Sequence, residues 1–167
     1  SFAIVGATLR VGPVALNAGS YTLRLRTADS TANNYEEIVI ITVTDNVQPV
    51  ITGTVAPNNA SYAAGAQLIF TAYFSEPVTV STVGGTPRIA LTLDTGGTVF
   101  ATYLAGSGSL AISFRYIVQP GDIDLTGIGV AAAIDLNGGT IRDTATNNAI
   151  LTLNGGGSTA GNVIDGG

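Results

Sequence analysis

Apolar and polar residues alternate with a period of two along most of the chain, and no stretch carries the 3.6-residue repeat of an amphipathic helix. In the first part, "SFAIVG", "TLRVG", "SYTLRLRTAD" and "YEEIVIITVTD" read as four strands separated by turns containing Gly and Asn. Tyr21, Leu23 and Leu25 fall on one face of "YTLRLR", with Thr22, Arg24 and Arg26 on the other. That is the pattern of a half-buried antiparallel strand. "EEIVIITVT" is apolar on both faces, which predicts a strand that lies centrally or is covered on both sides.

A second series begins after Pro49: "PVITGTVAP", "AQLIFTAYFSEPVTV", "TPRIALTLD", "GTVFATYLAGSG", "SLAISFRYIVQ", "GVAAAIDLNGGTIRD" and "NAILTLNG". About seven strands with turn signals between them predict an immunoglobulin-like sandwich. Leu110, Ile112, Phe114 and Tyr116 share one face of "LAISFRYIV", and Ile89, Leu91 and Leu93 one face of "PRIALTLD". These sets are expected to interdigitate in one core. The fold class is therefore all-β.

Composition narrows the chemistry. Charged residues make up 10% of the 167, against roughly 25% in ordinary soluble domains. The polar surface has to come from Thr, Ser, Asn and Gly. There is no lysine, and six arginines face eleven acids for a net charge of −5. Phosphate backbones and anionic membranes need clustered cations, so neither nucleic acid nor a membrane surface is an expected partner. With no Cys, His, Met or Trp, the usual donors for zinc, haem, thiol and Ser-His chemistry are missing, and disulfides cannot form. The start at Ser1 reads as a cut from something longer. This composition suits a bacterial secreted or surface-layer protein.

"ITVTDNVQPVITG" has the form of a joint between two β-domains: a strand, an acidic turn, a proline, a new strand. Before it, "YTLRLRTADSTANNYEEIVIITVTDN" resembles the closing strands of bacterial cadherin-like repeats, which run Y-x-L-x-V-x-A-x-D and then I-x-V-x-D-N-x-x-P. After it, "FSEPVTV", "GTPRIALTLD", "FRYIVQPGDIDLTGIGV" and "IDLNGGTIRDTATNNAILTL" look like an Ig-like repeat of giant bacterial surface proteins and RTX-type adhesins. The resemblance implies a partial cadherin-like domain over 1–46 and an Ig-like sandwich with a Gly-rich tail over 47–167. It also implies an extracellular, structural or adhesive role, often calcium-stiffened and not enzymatic.

Calcium is the cofactor these residues fit, since it takes six to eight oxygens from carboxylates, amide side chains and carbonyls. Asp45 and Asn46 match the D-N of the family's linker, and Asp29 matches the Asp of its A-x-D. Glu36 and Glu37 are further donors. "TVTDNVQP" lacks the doubled acidic form of that linker, so several usual ligands are absent and a plain polar turn before Pro49 is the favoured reading. In "PGDIDLTGIG", Asp122 and Asp124 alternate with Ile123 and offer a second candidate, with Asp143 as a possible third acid. A solvated loop closed by side-chain-to-backbone bonds is the alternative. Nothing marks Glu76 or the Asp122–Asp124 pair as the opposed carboxylates of a glycosidase cleft. Glu76, before Pro77, suits a strand end or an edge bulge. Sugar stacking on Tyr62, Tyr73 and Tyr103 is weighed against packing on the sheet faces.

Ser1–Asn46 supplies four strands where a sandwich needs about seven. Its earlier strands lie outside the sequence, or the four pack onto the next domain, or strands of a neighbouring copy complete them. The last case propagates as an open filament. "NVIDGG" in the tail reads either as a strand that reaches a neighbour or as a linker to the next repeat. The expectation is a non-catalytic module of an extracellular fibre or giant adhesin. Its partners would be copies of itself or neighbouring repeats of the same chain. The alternative is a carbohydrate- or surface-binding module that recognises cell-surface glycans.

Overall fold

Every regular element among the described residues is a β-strand, so the protein is all-β and sandwich-like. The computed structural model describes the chain except for residues 1, 6–7, 13–15, 29, 32, 96 and 155–158. It divides into two compact units, Ser1–Asn46 and Val47–Gly167.

The first unit consists of two antiparallel hairpins. Strands β1 (Phe2–Val5) and β2 (Thr8–Val11) make the first; β3 (Gly19–Ala28) and β4 (Asn34–Val43) make the second, in register from Gly19↔Val43 to Ala28↔Asn34. Period-two patterning sets the faces of the longer hairpin. Tyr21 opposite Ile41 and Leu23 opposite Val39 are half-buried, and the Phe2 ring meets Tyr21 edge-on at 5.9 Å. The other face is open. Ile38 and Ile40 on it are 63% and 67% exposed, beside Arg24 and Arg26. The expected central, doubly covered position of β4 is therefore corrected: among the described residues it pairs only with β3. None of the described residues in this unit is buried.

The second unit is built on β5 (Ile51–Val55), β6 (Ala60–Ala63), β7 (Gln67–Ser81), β8 (Arg88–Thr92), β9 (Thr98–Ala105), β10 (Ser109–Ile117), β11 (Ile123–Asp124), β12 (Gly129–Val130), β13 (Thr140–Arg142) and β14 (Asn162–Asp165). The larger sheet runs β12-β8-β9-β10-β7-β13, with β5 also paired to β7. The smaller sheet runs β11-β14-β6. Both contribute to a single core. Phe70, Ile89, Leu91, Ile112 and Phe114 enter it from the larger sheet and Ile164 from the smaller one, all essentially inaccessible to water. Each such side chain contributes about 1.5–3 kcal/mol by burial.

Several expectations shift in detail. Alternation puts Leu110 on one face with Ile112 and Phe114, but it is exposed. The β7–β10 register slips between Ser109 and Ala111, so one residue of β10 faces the stretch Phe74–Pro77 of β7. Pro77, which has no N–H to donate, sits in that interruption. "NAILTLNG" forms isolated bridges (Val50↔Ile150, Ala133↔Thr152) instead of a strand. "NVID" is neither a free arm nor a linker here: as β14 it pairs inside its own unit.

Two glycine pairs fix the turn after β7 against the turn before β13. A Cβ on Gly85 would lie 1.6 Å from the Asn137 carbonyl oxygen, and one on Gly139 would lie 2.5 Å from that of Gly85. A Cβ on Gly84 or Gly138 would lie 2.8 or 2.5 Å from the other's carbonyl oxygen, and both have positive φ. Only glycine permits backbones to approach this closely.

Candidate functional site

Two features bear on function: the path of the chain through the second unit, and the placement of its acids. The chain enters along Pro49 and Val50. Pro49 O accepts from Ile150 N at 2.8 Å, while Val50 accepts from Ser75 N at 2.9 Å and donates to Ser75 Oγ at 3.1 Å. From there β5 runs antiparallel to β7, from Ile51↔Phe74 to Val55↔Thr71. Residues 56–59 cross to the smaller sheet, where β6 pairs in parallel with β14, Ala60↔Asn162 through Ala63↔Asp165. β14 then finishes beside the end of β10: Gly166 N donates to Asp122 O at 2.8 Å, and Gly65 N donates to Val118 O at 2.9 Å. Entry is thus level with Ser75 and the finish of β14 level with Gln67. Eight residue steps of β7 separate them, about 26 Å at the rise of a strand.

The sequence-predicted metal residues are divided between the two units. Asp29 lies outside the described residues. Asp45 and Asn46 close the first unit, in the non-strand stretch that leads to Pro49. Asp122 and Asp124 do not converge on a common point. Asp122 Oδ2 accepts from the Tyr116 hydroxyl at 2.5 Å and from Gln119 N at 2.7 Å. Asp124, 1% exposed, turns Oδ1 to Gly127 N at 2.7 Å and Thr126 N at 3.2 Å. These are the side-chain-to-backbone turn bonds weighed as the alternative.

Asp94, two residues past the end of β8 and not among the sequence candidates, holds the same turn. It accepts from Leu125 N at 2.8 Å, Thr126 N at 3.2 Å and Thr126 Oγ1 at 2.8 Å. The Leu125 N–H and the Thr126 hydroxyl hold its carboxyl below the usual range, against a smaller opposing effect of burial. The signal was present in "LDTGG": an acid at a strand end before a glycine turn can accept backbone donors. Burial and then the Asp122 carboxylate push the Tyr116 phenol above its ordinary value.

Asp143 is brought not to Asp122 and Asp124 but to Glu76. Pairing of β13 with β7 carries it there, and the two acids offer carboxylate oxygens within 4.8 Å of each other. Asp143 is 95% buried, with its Oδ1 on Asn147 N at 2.8 Å and its Oδ2 on Asn147 Nδ2 at 2.7 Å. Two carboxylates this close repel unless a cation or proton lies near. With further oxygen donors they could hold a metal ion.

The aromatic candidates separate as well. Tyr73 is 44% exposed, Tyr62 and Tyr103 are half-buried, and Tyr103 stacks edge-on against Phe114. Tyr62 forms one wall of an open groove of about 330 Å³ with Pro57, Asn58, Gln67, Ile69 and Thr71. Its hydroxyl donates to Asn58 O at 2.5 Å. In the first unit, Phe2, Leu9, Val11, Leu16, Ile41 and Val43 line an apolar groove of about 150 Å³. Compared with known proteins, the chain matches no family model, no curated protein and no solved structure.

Proposed function

We propose that this chain is a non-catalytic structural module of an extracellular bacterial fibre or giant surface adhesin, built to be strung end to end. The observation that carries the reading is the path through the second unit. A domain whose chain enters and finishes at opposite ends extends an array, whereas adjacent ends would fold it back. The first unit supports polymerisation by β-strand complementation. It has no buried core among its described residues, its β4 exposes Ile38 and Ile40, and its apolar groove is open. A strand added there from a second copy would cover apolar surface and pair an exposed edge. Glu76 and Asp143 would take calcium, a hard cation matched to oxygen donors.

Two copies of the 167-residue chain fused head to tail provide the test. Small-angle scattering is expected to give a maximum dimension about twice that of the single chain. A fusion no longer than a compact globule of its mass overturns the array. Light scattering in millimolar calcium tests polymerisation separately: a mass well above 16.8 kDa supports strand complementation, and a clean monomer with and without chelator removes it.

The groove beside Tyr62 favours a second reading, a carbohydrate- or surface-binding module. An aromatic wall with Asn58, Gln67 and Thr71 nearby is the chemistry that sugars use. Oligosaccharide binding that is lost in Tyr62→Ala would support it.

A further inference from the structure

We propose that the parallel pair β6·β14, in series with β5·β7, is a shear clamp that makes the second unit load-bearing along its length. This inference rests on the end-to-end reading, because only an extended array delivers tension to the two ends.

The argument is geometric. Both β6 and β14 run toward the end of the unit where β14 finishes, with Ala60 beside Asn162 and Ala63 beside Asp165. Tension pulls β6 backward through residues 56–59 and β5, and pulls β14 forward through Gly166. The two strands are drawn past each other along their own axes. All of their cross-strand bonds then carry load together and must fail together. The same bonds pulled from one end would open one at a time at much lower force.

The neighbours reinforce this arrangement. β14 is flanked on its other side by β11, through Ile123↔Asp165 and Asp124↔Ile164, and Ile164 is fully buried. Asn162 is fully buried too and donates from Nδ2 to Pro57 O at 3.2 Å, which ties β14 to the crossing that leads into β6. At the entry, β5 is held by β7 on one side. On the other side it is held by Asn154, whose Nδ2 donates to Ile51 O at 2.7 Å and whose carbonyl accepts from Thr54 Oγ1 at 3.4 Å. Sliding β5 or β14 therefore breaks contacts on both flanks. Forced unfolding is set by the unfolding barrier, so this pairing raises the barrier along one direction in particular.

The 167-residue chain has no cysteine, so introduced pairs give unique handles in it. Single-molecule pulling between V47C and G167C loads β6·β14 in shear. Pulling between N58C and A160C loads the same pair from its adjacent N-terminal ends. At equal pulling speed the first geometry is expected to show at least a twofold higher unfolding force; equal forces overturn the clamp. Within the first geometry, Ile164→Ala should lower the force more than Ile141→Ala, which lies on β13 off the load path. Equal losses would place the barrier elsewhere and overturn the proposal. If Ile164→Ala does not fold, Val163→Ala serves in its place. Equal forces with an extended head-to-tail fusion reject the clamp alone, whereas a compact fusion rejects the array whatever the force ratio.

Discussion

Arg88 and Asp135 are joined three times. Their backbones exchange two hydrogen bonds of 2.8 Å, and Arg88 Nε donates to Asp135 Oδ2 at 2.8 Å. The guanidinium carbon also lies 3.9 Å from the centre of the Phe100 ring. One side chain thus ties β8, β9 and the segment after β12 together.

Acid should loosen this tie. The Arg88 bond, then Asn137 N, lowers the Asp135 pKa from 3.8, and Asp94 is lowered by its donors in the 124–127 turn. Carboxyls depressed in the folded state contribute stability above their unfolded value and lose it as pH falls through the folded one. Urea unfolding from pH 7 to pH 2 is expected to show a flat region and then a decline below about pH 4. The double variant D94N/D135N should flatten that decline. An unchanged acid profile in the variant would assign acid sensitivity to other groups.

The opposite sign holds for Tyr116. Its folded-state pKa is raised above 10.0, so the unfolded chain ionises first in alkali and its stabilising effect is lost as pH rises beyond 10. Tyr116→Phe removes this dependence. At neutral pH it costs about 1 kcal/mol for the lost bond to Asp122. Denaturation midpoints at pH 8 and pH 11 for the two proteins measure both effects.

Core truncation should separate sharply from surface change. Leu91 and Phe114 are fully buried, and Leu91→Ala or Phe114→Ala is expected to cost about 2–5 kcal/mol. Arg26→Ala, on the open face of β3, should stay within about 0.5 kcal/mol. Chemical denaturation curves for the three variants decide.

Gly85→Ala should be costly although a methyl is small, because the atom in its way is a backbone carbonyl oxygen. A loss of about 1–3 kcal/mol is expected. Gly53→Ala, where a Cβ meets nothing within 4 Å, should be neutral or slightly stabilising. Equal thermal midpoints for the two would contradict the interlocked-turn geometry.

If Glu76 and Asp143 hold calcium, millimolar calcium should raise the thermal midpoint and chelator should lower it, by mass action on the folded state. Glu76→Gln should abolish the response and leave the Asp143–Asn147 turn bonds intact. A response that survives in Glu76→Gln would move the ion elsewhere.

How legible all this was follows from element length. Ile89, Leu91, Leu93, Ile112 and Phe114 are legible as core because each set places apolar residues at every second position through three or more alternations, in and just beyond β8 and along β10. β6, β11 and β14 span two to four residues, too few for a period to register. The bonds of Asp124 are local, two and three residues along, and its turn was legible, whereas those of Asp94 required knowing that residues 31 to 32 positions apart meet through backbone donors. Glu76 and Asp143 are still farther apart and are united only by β13 pairing with the far half of β7, which no local pattern encodes.

Separated entry and exit give the second unit a length in reserve. Folded, it advances the chain by the reach of eight strand residues. Unravelled, the stretch from Val47 to Gly167 extends to on the order of 400 Å. A tether of such units would lengthen more than tenfold, one unit at a time, before any covalent bond felt the strain. It would also turn a sudden tug into heat and recoil when slackened.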